Sequence, residues 1–333
     1  MNQHSPASRN RTLRVTLRER ASLIAAVQTG ACADGGGFLD RIFLGEMQEI
    51  CGKLPANSVD LLILDPPYNL HRDFAGSTFR PLAIEEYAIL FSQWLDKLDH
   101  SLKADATIYV CADWRTSAAI FPILDQRFVV RNRISWEREK GRGSTTNWKS
   151  TAEDIWYCSR SASYKFYPDR VRLRRDVIAP YRDTSGKPKD WVESSSGSYR
   201  DTAPSNLWTD LTVPFWSMPE NTEHPTQKPE KLIAKLVLAS SDEGDLILDP
   251  FLGSGTTAVV AKKLGRHFVG VEREPDFAAV SQKRLDQTRR GDPIQGYSQG
   301  VFWARNTGAA QMKSKGEIER FDGVSRPLDL FDG

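Results

Sequence analysis

Short apolar runs alternate with helically spaced stretches from residue 38 to about residue 290. RIFLGE, MQEICGKL and VDLLILD predict strand, helix and strand in succession. The run 61–64 is apolar at every position, the pattern of a parallel strand covered on both faces. EEYAILFSQWLDKLDHSL has helical periodicity, and ATIYVCAD, NRISWERE and AEDIWYCS predict three further strands. The rhythm lapses over 159–215, a stretch rich in Ser, Arg, Pro and Tyr that reads as an insertion. It then resumes with the helix EKLIAKLVLASS, the strand DLILD, the helix TTAVVAKKLG, the strand HFVGVE and the helix PDFAAVSQKRLDQTRR. This alternation predicts a doubly wound α/β sheet built from 38–158 and 216–290 around the insertion. Residues 1–37, ending in three glycines, read as a flexible Arg-rich tail, and 291–333 as a polar, aperiodic extension.

Composition narrows the class. Of 333 residues, 40% are hydrophobic, enough for a packed core, while a net charge of +2 means that any nucleic-acid surface must be a local patch. Cys32, Cys51, Cys111 and Cys158 form no CxxC pair, and the five histidines show no ligand spacing. A disulfide framework and a metal site are therefore not expected, and a reducing, cytoplasmic setting is. No apolar run approaches the ~20 residues of a membrane span. The arginines of 9–20 followed by ASLIAAV superficially suggest a signal peptide, but Gln28 and Thr29 interrupt the apolar part at once. An Arg-rich arm is the preferred reading, a cleaved targeting segment the lesser one.

LILDPFLGSGTTAVVAKKLG places a strand, a glycine turn and a helix N-terminus in succession. Gly253 and Gly255 let backbone approach a ligand closely, and the helix start offers unpaired N–H groups. Glu272, ending the next strand, is placed to accept from two ribose hydroxyls. Taken alone, the turn signifies an adenosine-containing cofactor, with a dinucleotide as one candidate. No GK[ST] follows, which excludes a Walker A phosphate loop.

Asp65-Pro66-Pro67-Tyr68 directly follows the buried strand, hence sits at the carboxyl edge where open α/β sheets bind ligands. Two prolines stiffen the turn and remove two donors. Asp65 and the Pro66 carbonyl could then each accept one N–H of a nucleobase amine, freeing its lone pair for attack. Tyr68 could stack on a base turned out of the helix, and Asn69 would continue the loop towards the cofactor.

At these residues the chain resembles the β class of amino-specific, S-adenosylmethionine-dependent DNA methyltransferases. DPPYN (65–69) resembles their catalytic motif, and DPFLGSGTT (249–257) their cofactor loop. HPTQKP (224–229) is similar to the segment closing over the methionine end of the cofactor, and 131–160 to the block before target recognition. The resemblance spans about 40–288. It implies a circularly permuted Rossmann-like sheet, with a catalytic half at 38–158, a target-recognition insertion at 159–215 and a cofactor-binding half at 216–290. It also implies S-adenosylmethionine contacts from Glu46, Asp65, Thr226, Lys228, Asp249, Phe251, Gly253, Ser254, Gly255, Thr256 and Glu272, with Thr226, Gln227 and Lys228 serving as cofactor or active-site contacts. Gly45-Glu46-Met47 departs from the family's usual Gly-Asp-Cys; Glu46 keeps the charge on a side chain one methylene longer.

Residues 160–200 hold ten Arg or Lys against five Asp or Glu, with six aromatics between them. In DRVRLRRD, period-two alternation puts Arg170, Arg172 and Arg174 on one face, suited to phosphates or guanines. Arg138, Lys140, Arg142 and Lys149 form a second basic patch expected at DNA phosphates. The activity implied is N6 methylation of adenine in a short double-stranded site, with cytosine N4 as the alternative. An Asp opening the catalytic motif favours adenine, and no cysteine follows a proline, as carbon-5 chemistry would want. An NAD-dependent oxidoreductase leaves DPPY and the basic insertion unexplained. The expected setting is bacterial, as monomer or homodimer, paired with a restriction endonuclease or solitary.

Overall fold

The computed structural model describes residues 9–30, 37–70, 72–74, 77–138, 145–177, 181–194 and 197–305. Its helices are α1 (Leu17–Ala26), α2 (Met47–Cys51), α3 (Ile84–Leu98), α4 (Trp114–Arg127), α5 (Glu230–Ser240), α6 (Thr256–Lys263) and α7 (Pro275–Asp286). Two compact units divide the chain: Met1–Tyr167 with Ser205–Gln295, and Pro168–Pro204 with Gly296–Gly333.

The larger unit carries β1 (Gln28–Thr29), β2 (Arg41–Leu44), β3 (Val59–Leu64), the hairpin β4 (Arg72–Phe74) and β5 (Ser77–Phe79), β6 (Leu102–Ala112), β7 (Val129–Glu137) and β8 (Ala152–Ser159). The smaller unit contributes β9 (Leu173–Asp176), β10 (Val192–Ser194) and β11 (Gly197–Thr202). The chain then adds β12 (Leu207–Trp208), β13 (Leu246–Asp249) and β14 (His267–Glu272) to the larger unit, and β15 (Tyr297–Ser298) and β16 (Val301–Trp303) to the smaller.

Nine strands of the larger unit form one sheet in the order β1-β2-β14-β13-β3-β6-β8-β7-β12. From β1 to β6 every pairing is parallel; β8 runs antiparallel to β6 and β7. Helices cover this sheet, so β3 is buried at all six positions, as its unbroken apolar run requires. Asp60, the one charged residue in that run, accepts the Leu246 N–H at 2.9 Å and so ties the start of β13 to β3.

Three expectations need correction. Residues 17–29 are not a loose tail: α1 begins where the Glu19 carboxylate accepts the Thr16 N–H at 2.7 Å, and ion pairs Lys283–Glu19 and Arg20–Asp276 bind it to α7. α4 escapes the periodicity because Pro122 interrupts it, although Asp113 caps its N-terminus by accepting from the N–H groups of Arg115 and Thr116. The irregular region is also narrower than 159–215. Tyr167 N–H donates to Ala239 and its hydroxyl to Asp242, which fixes the chain up to 167 in the larger unit. Leu207–Trp208 pairs with β7. The smaller unit has a sheet ordered β10-β11-β9-β16-β15, so Val301–Trp303 is a strand, where an aperiodic extension was expected.

Leu62 is completely buried at the centre of β3 and belongs to the core of the larger unit. Leu62→Ala should lower the unfolding free energy by about 2–5 kcal/mol, read as a fall in the denaturant midpoint.

Candidate active site

Parallel β3 and β13 are neighbours in the register Leu61↔Ile247 and Leu62↔Leu248. Their carboxyl ends therefore deliver Asp65-Pro66-Pro67-Tyr68 and Asp249-Pro250-Phe251 to the same sheet edge, although the segments lie far apart in sequence. A cavity of about 320 Å³ opens there, a size suited to a cofactor. Asp65, Pro66, Pro67, Tyr68, Glu46, Thr226, Lys228, Asp249, Phe251, Gly253, Ser254, Thr256 and Glu272 all line it, alongside Arg138 and Glu153.

The cofactor side is built from the glycine turn. Gly253 and Gly255 adopt φ of +58° and +81°, a region that disfavours side chains, and Gly255 caps α6. A Cβ on Gly253 would lie 3.1 Å from the His224 ring, and one on Gly255 would lie 2.9 Å from the Ser281 Cβ. Gly253 faces the cavity, whereas Gly255, expected at the cofactor, does not line it and makes its close approach to Ser281. Glu272 accepts the Gly253 N–H (2.8 Å) and the Glu274 N–H (2.8 Å), which pins its carboxylate beneath the turn. Burial pushes Glu272 up to about 7 against the pull of those two N–H groups. Asp249 accepts from Thr257 Oγ1 (2.5 Å) and the Phe251 N–H (3.0 Å), and burial likewise pushes it up to about 7. Phe251 packs edge-on against Trp94, while Thr256 Oγ1 donates to the Lys228 carbonyl. The cradle and the buried acid at the end of β14 fit an adenosine-containing cofactor. Glu46 lies at the rim, 3.9 Å from Arg273, with more than half its side chain exposed.

The catalytic side is a knot of charge. Lys228 Nζ lies 2.8 Å from each Asp65 oxygen, 3.1 Å from Tyr68 Oη and 3.5 Å from Glu153 Oε2. Lys228 was expected as a cofactor or active-site contact, and it reaches Asp65 in the cavity. Burial would push its ammonium down, but Asp65 and Glu153 outweigh burial and hold it protonated. Tyr68 Oη is within reach of Glu153 (3.1 Å) and Asp65 (3.2 Å), and burial beside those carboxylates pushes its phenol well up. Tyr87 Oη donates to the Pro67 carbonyl at 3.1 Å and so fixes the turn from α3. Asn69 does not enter the cavity: its amide grips the Leu82 backbone in both directions.

Glu153 is the residue the sequence reading passed over. It is buried on β8, and its other oxygen pairs with Arg138. Its signal lay in the alternation: in AEDIWYCS, Glu153 shares a face with Ile155 and Tyr157, both buried, and an acid on that face requires a partner. Gln227, expected as a cofactor or active-site contact, lines the cavity and also braces its own loop by accepting from Thr222 and donating to the Glu220 carbonyl.

The basic residues are dispersed. Arg138, expected at phosphates, is drawn into the cavity by Glu153. Lys140 and Arg142 lie outside the described residues, whereas Lys149 is exposed. Arg170, Arg172 and Arg174 do not share one strand, since Pro168–Val171 is a 3-10 turn and β9 starts at Leu173. Arg172 is exposed and pairs with Asp169. Arg174 is structural: it donates to both Asp201 oxygens and lies against the rings of Tyr199 (4.0 Å) and Trp303 (5.4 Å). Among the described residues, no cluster of His, Cys, Asp or Glu could hold a metal, and no helix is long and apolar enough to cross a membrane.

Known proteins agree with this architecture. The type II methyltransferase M.HpaI of Haemophilus parainfluenzae is 33% identical over 241 residues, 72% of this chain and 71% of its own length. The DNA adenine methyltransferase YhdJ of Escherichia coli (strain K12) is 32% identical over 250 residues, 70% of this chain and 78% of its own. Among solved structures, the cytosine-N4-specific PvuII DNA methyltransferase shares the fold, with a TM-score of 0.55 at 17% identity, covering 92% of this chain and 97% of that one. A family model described as DNA methylase matches residues 59–283, from the first residue of β3 into α7. With β3, its DPPY turn, the glycine turn and Glu272 all inside that match, the chain belongs to the DNA methylase family.

Proposed function

We propose that this protein transfers a methyl group from S-adenosylmethionine to N6 of adenine within a short double-stranded DNA site. The observation that carries this reading is that Asp65 and the Gly253-Ser254 turn, delivered by adjacent parallel strands, face one cavity. Asp65 heads the catalytic motif, and the relative YhdJ is named a DNA adenine methyltransferase.

When bound, S-adenosylmethionine supplies an electrophilic methyl on a sulfonium centre. Gly253, Ser254 and Thr256 would cradle it at the start of α6 with Gly255 shaping the turn, Glu272 would accept from its ribose hydroxyls, and Glu46, Thr226, Asp249 and Phe251 would complete the wall. Asp65 and the Pro66 carbonyl each accept one N–H of the adenine amine, so that the nitrogen lone pair is free to attack. The Tyr68 ring, held by its hydroxyl, supplies a fixed surface on which the extruded base stacks and helps offset an extrusion cost of a few kcal/mol. The chain's contribution is positioning and exclusion of water. Lys149, Arg170 and Arg172 are assigned to DNA phosphates, and a cognate restriction endonuclease is the functional partner to look for.

Purified protein incubated with S-adenosylmethionine and unmethylated plasmid DNA, then sequenced by a modification-sensitive long-read method, should show N6-methyladenine at one short recurring site. N4-methylcytosine there would overturn the base assignment. Asp65→Ala should lower the methylation rate by on the order of 10²–10³-fold, read as methyl transfer to DNA under single-turnover conditions.

Glu272 and Asp249, both raised to about 7, also give the protein a pH signature. Deprotonated Glu272 is the better acceptor for ribose hydroxyls, so affinity for S-adenosylhomocysteine should rise between pH 6 and pH 8. Glu272→Gln should flatten that profile in an equilibrium titration. Stability of the ligand-free protein should move the opposite way. The folded state keeps two protons that the unfolded chain has already released, so their stabilisation is full below the unfolded carboxyl value and fades as pH rises through 7.

A further inference from the structure

Lys228 has two masters. Its equal distances of 2.8 Å to the Asp65 oxygens place the ammonium astride that carboxylate, and Glu153 Oε2 waits 3.5 Å away. The lysine side chain is only 9% exposed, so an acceptor it gives up cannot be replaced freely by water. An amine that donates to Asp65 competes with Lys228 for the same oxygens, and the ammonium also weakens Asp65 as an acceptor. The cation can yield only towards another buried anion within reach. Glu153 satisfies that condition: its side chain is 6% exposed, Arg138 holds its other oxygen, and Tyr68 Oη bridges towards Asp65.

Resting on the amino-methyltransferase reading above, we propose that Glu153 is a positioning residue that draws the Lys228 ammonium off Asp65 as the exocyclic amine of the target base docks there. Lys228 keeps its proton throughout, and no covalent step is added. Both partners are ionised as this exchange requires. Burial opposes the Glu153 charge, but Lys228 and Arg138 overcome it and hold its carboxyl below the usual range. Glu153 touches neither cofactor nor base in this scheme; it acts on Asp65 through Lys228.

The test uses the duplex that the wild-type protein methylates, in the presence of S-adenosylhomocysteine. A second duplex carries purine, which is adenine without its 6-amino group, at the target position. The ratio of the two affinities reports amine docking at Asp65, and the change in base pairing is common to all variants and cancels between them. Glu153→Gln should shift that ratio against adenine by on the order of 10–100-fold and lower kcat alike, with KM for S-adenosylmethionine little changed. Glu153→Asp should recover part of both. In a Lys228→Met background, adding Glu153→Gln should leave the ratio where Lys228→Met alone sets it. A wild-type ratio in Glu153→Gln, or the same loss in both backgrounds, would overturn the proposal. The background comparison reads binding only, so it stands even if Lys228→Met is inactive. Failure of the methyltransferase reading itself would show separately, as wild-type protein that leaves no methylated base on plasmid DNA.

Discussion

A carboxylate placed just past a fully buried strand is only partly open to water, and Asp65 keeps 21% of its side chain exposed. Asp65 follows six fully covered positions of β3, and the structure answers with a lysine brought from the loop before α5. The Asp65–Lys228 pair sets much of what surrounds it. Lys228 must arrive from the right direction, so Pro229 ends the incoming loop and α5 starts at Glu230, while Thr256 of the glycine turn clasps the Lys228 carbonyl. One lysine against one aspartate would neutralise the site; adding Glu153 calls for a second cation, and Arg138 provides it. Two acids and two bases thus balance inside a pocket that would tolerate no large net charge.

The same logic explains why the cofactor side carries its acids differently. Asp249 and Glu272 have no cation at hydrogen-bonding distance among the described contacts; their oxygens are held by backbone N–H groups and a threonine hydroxyl. Hydrogen bonds of this kind orient a carboxylate but offset burial only in part, which is why both acids stay protonated to about 7. On the catalytic side full charges meet full charges, so Glu153 and Lys228 both remain ionised. The pocket therefore has a titratable half near neutral pH and a half locked in its charged form.

Much of this was readable in the chain before any coordinates. The unbroken apolar run of β3, the two glycines before α6 and the DPPY turn are local signals, because each encodes backbone geometry within a few residues. What escaped was long-range. Nothing near Lys228 says that its ammonium crosses to Asp65, 163 positions earlier in sequence, and nothing near Arg138 says that it turns inward. Glu153 alone was within reach of pattern reading, by its place on the buried face of an alternating strand. α4 was hidden by one proline, and Val301–Trp303 by its brevity, since three residues show no periodicity.

Arg174 shows why a basic, aromatic-rich stretch need not be a nucleic-acid surface. Arginines interleaved with aromatics fit a nucleic-acid surface, yet the same composition fits a small sheet that has few aliphatic side chains to pack. Here a guanidinium lies against Tyr199 and Trp303 and is neutralised by Asp201, so charge and ring area are spent inside the unit. Partner acids are what separate the two uses. Arg174 is held at two oxygens by an acid on the neighbouring strand β11, with its side chain 13% exposed, whereas Arg172 meets an acid three residues away and stays 48% exposed. An arginine already satisfied at both ends of its fork has little left to offer a phosphate. Arg172, by contrast, pairs with a local, exposed acid and keeps its guanidinium open to solvent.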